Sequence, residues 1–182
     1  VGPRLMDDLW SYSIETGSWT LQDVGAGPSP RARHVAVHAE GVIWIHGGWG
    51  GSGRLDDLWS YNISVGHWKL MSSGEGPMAR SRHVSVYAAQ RLWLHGGRNS
   101  YWGTSVLDDL WSYDIETGNW TLESEGRGPL PRRDHVAVHA EGVIWIQGGY
   151  GGSSTGLLND LWSYNISEGL WKWRGAEGPA PR

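Results

Sequence analysis

The sequence is built from one unit that recurs about every 50 residues, a period typical of repeat architectures. The string DDLWSY begins at Asp7, Asp56 and Asp108, and a fourth copy, NDLWSY, begins at Asn159. The chain also holds 14 Trp and no Phe, a bias that indicates copying of one unit rather than independent drift of a single domain. We therefore expect a fold in which similar units stack against one another and bury a continuous core.

Three further motifs keep the same order in each copy. A Gly pair follows a hydrophobic run at Gly47-Gly48, Gly96-Gly97 and Gly148-Gly149. A G-x-W element ends at Trp19, Trp68, Trp120 and Trp171, and a GP-x-x-R element ends at Arg31, Arg80, Arg132 and Arg182. With these motifs the chain resembles the kelch repeat over nearly its whole length. The resemblance implies that each repeat forms a four-stranded blade of a β-propeller.

The residues of one unit predict four strands without reference to any family. His34–Ala39 alternates in the manner of a strand, Glu40-Gly41 is a turn signal, and Val42–His46 is rich in β-branched and aromatic residues. Asp57–Ile63 and His67–Met71 follow as a third and a fourth strand. We name these strands A, B, C and D. Because no segment shows clean helical periodicity, we expect an all-β fold.

The repeats divide the chain into one half blade and three blades of a single propeller domain. The half blade, with strands C and D and a linker, covers 1–33. Blades cover 34–82 and 83–134, and the last blade with its linker covers 135–182. About three and a half blades fit a segment of a six- to eight-bladed ring, and we expect this chain to be an excerpt of a longer protein. Open blade edges make self-association possible.

The strand order predicts which loops share a face. Because successive strands alternate in direction, the B–C loops and the D–A linkers lie at one end of the blades, which we call the loop face. The B–C loops are long and differ between copies, and variable loops on a fixed scaffold are where binding usually occurs. The predicted partner-binding residues are Trp49, Arg54, Arg98, Asn99, Tyr101, Trp102 and Tyr150.

Charge narrows the classes of partner. Lys and Arg number 15 against 19 Asp and Glu, so the net charge is -4, which argues against a nucleic-acid partner. Arginines and acids nearly balance on the loop face. We interpret Arg31, Arg80 and Arg132, with the aspartates that recur in each unit, as a bidentate network that ties blades together. Arg54 and Arg98 stand outside this repeat and are better candidates for recognition.

Several kinds of chemistry are absent from the sequence. With no Cys, the chain lacks thiolate sites and the Cys–Tyr cofactor of kelch enzymes that resemble galactose oxidase. No catalytic motif occurs, so we expect no catalytic residues, no metal and no cofactor. His34, His83 and His135 share one repeat position, and we expect hydrogen bonds there rather than a metal ring. No apolar run is long enough to cross a membrane.

The recurring tryptophans are expected to pack within and between blades. They fall at three repeat positions: Trp10, Trp59, Trp111 and Trp162; Trp19, Trp68, Trp120 and Trp171; and Trp44, Trp93 and Trp145. The resemblance favours a non-enzymatic protein–protein interaction scaffold that binds a protein or peptide. Two alternatives stay open: a structural subunit of a larger complex, and the non-catalytic part of a kelch-type enzyme whose active site lies outside this segment. The sequence indicates no compartment.

Overall fold

The computed structural model describes residues 4–99 and 105–175, which form strands and turns without a helix. The first sheet has two strands, β1 (Asp8–Ser13) and β2 (Ser18–Val24). The second has β3 (Val35–Ala39), β4 (Val42–Trp49), β5 (Arg54–Asn62) and β6 (His67–Ser72). The third has β7 (Val84–Ala88), β8 (Arg91–His95), β9 (Leu110–Asp114) and β10 (Trp120–Ser124). The fourth has β11 (Val136–Ala140), β12 (Val143–Tyr150), β13 (Leu157–Asn165) and β14 (Leu170–Gly175).

Each four-stranded sheet is an antiparallel meander in chain order, which confirms the predicted blades of a β-propeller segment. The A–B turns are tight because both central residues take positive φ, 51° at Glu40 and 78° at Gly41. The C–D turns are closed by a side chain: the Asn62 amide oxygen accepts hydrogen bonds from the backbone N–H groups of Ser64 and Val65. The turn signals in the sequence therefore predict both hairpins.

Strand B is longer than the sequence indicated. β4 continues through the Gly pair to Trp49, which lies opposite Arg54, so both residues belong to strands rather than to a long loop. Tyr150 likewise ends β12. The register shifts between His46 and Gly48, where φ is 106° and a Cβ would lie 2.9 Å from the Ala32 carbonyl oxygen. Glycine at this bulge lets the strand resume pairing beyond it.

The four-stranded sheets pack through their first strands, since β3 contacts β7 and β7 contacts β11. Apolar side chains fill the space between neighbouring sheets. Trp44 lies 5.9 Å from the ring of Tyr113 in the next sheet, and Trp93 lies 5.8 Å from Tyr164. These residues are all buried, so each pair of neighbouring blades shares a hydrophobic core. The linkers between strands D and A then run along one end of this core.

The two-stranded sheet departs from the predicted tryptophan packing. Trp68, Trp44 and Trp93 are buried as expected, but Trp10 is 48 % exposed and Trp19 is 66 % exposed. The difference has a local cause, because Trp68 is covered by Gly27 of the linker before its blade, and the described residues hold no such linker for β1 and β2. Within the described ranges there is also no helix that could cross a membrane.

Candidate functional site

The recurring arginine of the linker ties successive blades together. The Arg80 backbone N–H donates to the Leu55 carbonyl oxygen of one blade, at 3.0 Å. Its guanidinium forks onto both Asp109 oxygens of the next blade, at 2.7 and 2.6 Å, and also donates to the Gly96 carbonyl oxygen. The same fork joins Arg31 to Asp57 and Arg132 to Asp160. The geometry matches the interpretation of these arginines as structural.

A tryptophan completes each of these ion pairs. The Trp111 indole N–H donates to Asp109 at 2.7 Å, and Trp59 and Trp162 donate in the same way to Asp57 and Asp160. Burial alone would raise the pKa of Asp57, but its hydrogen bonds with Arg31 and Trp59 lower that pKa below its usual value. The D-x-W element of the repeat is thus a carboxylate with one indole and one guanidinium partner. These paired groups can hold a blade in place.

Histidines form buried pairs between blades. Nδ1 of His46 lies 3.1 Å from Nε2 of His83 in the next blade, and His95 and His135 make the same contact at 3.0 Å. Burial, then the positive charge of Arg80, lowers the pKa of His46 to about 3. The neutral rings therefore share one proton along each contact. Each contact joins two different repeat positions. Among the residues described, no group of three or more His, Cys, Asp or Glu could hold a metal ion.

The predicted binding residues Trp49, Arg98 and Tyr150 occupy one equivalent position. Each follows the Gly pair, and each forms an antiparallel backbone bridge to the linker that leads into a strand A. The bridges join Trp49 to Ala32, Arg98 to Ser81 and Tyr150 to Arg133. All three side chains are half-buried. The fold therefore presents one backbone frame with three different side chains at the end where the B–C loops and D–A linkers meet.

The remaining predicted residues are placed differently. Arg54 begins β5 beside Trp49, and Asn99 lies just beyond Arg98, where its backbone N–H donates to the Ser105 carbonyl oxygen. Arg54 and Asn99 are both half-buried. Tyr101 and Trp102 lie outside the described residues. Arg54 is therefore adjacent to Trp49, and Asn99 extends the Arg98 position.

Sequence reasoning missed the residue that precedes each strand-A histidine. Arg33, Arg82 and Asp134 share this position and take positive φ of 60°, 62° and 56°. A backbone hydrogen bond joins Arg82 to Arg33, and another joins Asp134 to Arg82, each at 3.0 Å. The three residues therefore follow one another across the blades. The signal was present in the repeat, since two copies carry Arg before His and the third carries Asp.

Four arginines converge around this position: Arg33, Arg82, Arg98 and Arg133, which we call the arginine cluster. Burial lowers the pKa of Arg98, and the charges of Arg133, Arg82 and Arg33 lower it further. Arg82 donates to both oxygens of Asp134, at 2.9 and 2.7 Å, and Arg133 donates to the same carboxylate. The Arg133 guanidinium also lies 4.6 Å from the Tyr150 ring centroid. The cluster is a compact, positively charged surface that can accept anionic groups.

Comparisons with known proteins agree with this architecture. The KLHDC2/KLHL20/DRC7 Kelch-repeats domain matches the chain over residues 2–149 and 69–182. The Leucine-zipper-like transcriptional regulator 1 homolog of Drosophila melanogaster is 29% identical over 94% of this chain and 13% of its own length. Serine/threonine-protein phosphatase BSL2 of Arabidopsis thaliana is 31% identical over 96% of this chain and 18% of its own length.

A third relative is matched over a shorter stretch. The Dynein alpha chain, flagellar outer arm, of Chlamydomonas reinhardtii is 33% identical over 41% of this chain and 2% of its own length. The chain thus spans less than a fifth of the length of these curated relatives. Together the family match, the 50-residue motifs and the four-stranded antiparallel sheets show that this chain belongs to the kelch-repeat family, whose β-propeller domains are in general protein-interaction scaffolds.

Proposed function

We propose that this chain is a non-enzymatic interaction module that binds a protein or peptide partner on its loop face. One observation carries the proposal. Trp49, Arg98 and Tyr150 sit on the same bridged backbone, yet their side chains differ from copy to copy. The forked arginines, which have a structural role, keep the same side chain in each of these copies. Variation on an unchanged frame is typical of recognition.

The chemistry of these side chains supports the same conclusion. Tryptophan, tyrosine and arginine are the residues most enriched at the energetic centres of protein interfaces, because they combine large contact area with a polar group. Trp49, Arg54, Arg98, Asn99 and Tyr150 are half-buried, so a partner would meet side chains that are already ordered. Ordering before binding lowers the entropic cost of association. Tyr101 and Trp102 belong to the proposed site by their place in the sequence.

A selection experiment tests the proposal without a known partner. A displayed library of random peptides is selected against the immobilised chain, and the affinities of the selected peptides are measured by fluorescence anisotropy. We expect the double substitution Trp49→Ala with Arg98→Ala to weaken their binding at least about tenfold, as is common for interface anchors. Val65→Ala is the matched control, because Val65 is 70 % exposed in the turn at the opposite ends of the strands.

The two variants separate the outcomes. Loss of binding in the double variant alone, with an unchanged unfolding midpoint, would support the loop face. Equal affinity of both variants would remove Trp49 and Arg98 from the site and would contradict the proposal. Loss in the Val65→Ala variant alone would move the site to the opposite face, which would also contradict it.

The two-stranded sheet supports an alternative function. Trp10 and Trp19 expose much of their surface on the two-stranded sheet, which favours a structural subunit that packs there against another chain. The phosphatase relative carries its matching segment within an enzyme, so a non-catalytic part of an enzyme is the second alternative. Capture of peptides by the two-stranded sheet rather than by the loop face would favour the structural subunit.

A further inference from the structure

The arginine cluster is built into the framework of the blades. The backbone of Arg82 is hydrogen-bonded to the carbonyl oxygen of Arg33, and the backbone of Asp134 to that of Arg82. Arg98 and Arg133 are positioned by the bridges that pair them with Ser81 and Tyr150. Four arginines from successive blades therefore stand at fixed positions around one area. Such an arrangement needs little reorganisation to receive a ligand.

The charge of this area differs from the charge of the rest of the loop face. Arg31, Arg80 and Arg132 are each neutralised by a forked aspartate. In the cluster, by contrast, two arginines, Arg82 and Arg133, share the single carboxylate of Asp134, so the positive charges there exceed the negative charge that pairs with them. The side chains of Arg82 and Arg133 are 24% and 21% exposed, so solvent screens them less than it screens fully exposed charges. The near balance of charge on this face thus conceals a local positive area.

Asp134 holds the position that a ligand carboxylate would take. Its two oxygens accept hydrogen bonds from Arg82 and Arg133, which come from different linkers. The equivalent residue in the two preceding copies is arginine, so the acid is a departure from the repeat at one position. Asp134 is also 39% exposed, which leaves its contacts open to competition from solvent or a ligand.

We propose that the arginine cluster binds the carboxylates of an acidic segment in a partner protein, and that Asp134 occupies the cluster until this segment displaces it. The proposal rests on the interaction module proposed above and names its class of partner. Carboxylates match the planar guanidinium fork, and Tyr150 beside Arg133 offers apolar contact to the neighbouring side chains of a peptide. A net charge of -4 on the chain and the small extent of the cluster disfavour a long polyanion such as nucleic acid.

The test uses fluorescein-labelled hexaglutamate as the probe, with hexaglutamine as the uncharged comparison, measured by anisotropy at about 0.1 M salt. We expect hexaglutamate alone to bind. Arg33→Ala and Arg98→Ala are each expected to weaken it roughly tenfold, the size of one charge-assisted hydrogen-bond interaction. Lys69→Ala is the matched control, because it removes one positive charge from the exposed outer strand β6.

The substitution Asp134→Asn tests the internal carboxylate. Asparagine tolerates the positive φ of this position and keeps the shape of the side chain, so folding should be retained. We expect hexaglutamate to bind several-fold more tightly to this variant, because the competing charge is gone. An unchanged or weaker affinity would contradict the role given to Asp134. Arg33 is exposed, so Arg33→Ala tests the cluster even if Arg98→Ala is unstable.

The outcomes distinguish this proposal from the one on which it rests. If hexaglutamate does not bind while library peptides still require Trp49 and Arg98, the acidic partner is wrong and the interaction module stands. If library peptides are also insensitive to these substitutions, the interaction module fails. An equal loss of hexaglutamate affinity with Lys69→Ala would indicate general charge attraction and would contradict specific binding at the arginine cluster. Tighter binding of a single-stranded oligothymidylate, with the same dependence on Arg33, would reassign the site to nucleic acid.

Discussion

A buried arginine at the loop face has a structural role. Arg80 is fully buried, and its guanidinium donates to two carboxylate oxygens and to two carbonyl oxygens, while its backbone N–H donates to the preceding blade. The charge and hydrogen-bond donors of this side chain are satisfied within the protein. An arginine on the loop face is therefore a recognition candidate only when it lies outside this repeated fork, as Arg33, Arg82, Arg98 and Arg133 do.

Removal of one partner from the fork should be strongly destabilising. Asp109→Asn leaves the Arg80 charge buried without a carboxylate, and breaking a buried pair in this way costs about 3 to 5 kcal/mol. We expect the free energy of unfolding, measured by urea denaturation, to fall by about that amount. Glu168→Gln is the control, since its pair with Lys172 is about half exposed on both sides and should change stability by less than about 1 kcal/mol. Equal effects would contradict the structural role of the fork.

Glycine has a steric role in the linkers. A Cβ on Gly76 would lie 2.6 Å from the Trp120 ring of the next blade, although φ at Gly76 is not positive. We expect Gly76→Ala to destabilise the protein by roughly 1–3 kcal/mol through overpacking, measured as a lower thermal unfolding midpoint. Gly53→Ala is the control, because a Cβ there meets nothing within 4 Å. A midpoint that falls equally in both variants would show that backbone strain in the folded state, rather than contact with Trp120, is the cause.

At the scale of the strands, the histidine pairs make blade packing sensitive to acid. Burial lowers the pKa of His46 and of His95 from 6.5 to about 3, and it places the pKa of His83 and His135 well below the usual value. Below pH 6.5 the unfolded chain therefore binds protons that the folded chain does not. The free energy of unfolding therefore keeps the full contribution of these neutral histidines above pH 6.5, and it falls as the pH drops toward 3.

The slope of this loss can be measured. Each such histidine contributes at most about 1.4 kcal/mol per pH unit between its two pKa values. We expect His95→Gln, which copies the residue at Gln147, to reduce the difference in unfolding free energy between about pH 7.5 and pH 5. His38→Gln is the control, because His38 is exposed and lies outside the buried histidine pairs. An unchanged slope in the first variant would assign the acid sensitivity to other groups.

The strands also show what a repeat can predict. The turn residues Glu40-Gly41 and Asn62 predicted the hairpins, because their preferences act within a few residues. The predicted end of strand B at His46 was wrong. The strand continues past Gly48 because it contacts the linker at Ala32, and this contact is not local in the sequence. The fork was predicted from repetition of Arg and Asp. The arginine cluster was missed because its members come from three repeat positions that only the packing of successive blades brings together.

At the scale of the whole molecule, packing among the described residues is least complete at the two-stranded sheet. β1 is equivalent to β5, β9 and β13, each of which is paired on both sides, whereas β1 pairs with β2 alone among the described residues. The sheet also carries exposed Trp10, Trp19 and Ile14. An unpaired strand edge beside exposed aromatic side chains is a template for pairing with another chain.

We therefore expect this chain to associate with a second copy of itself in solution. Light scattering should give a mass above that of the monomer that rises with protein concentration. Ser11→Lys places a charge in β1 and should shift the mass toward the monomer, because a charged edge resists strand pairing. Val65→Lys adds the same charge in an exposed turn and should leave the association unchanged. A monomeric mass at every concentration, with one cooperative unfolding transition, would show that the edge of β1 is not a site of self-association.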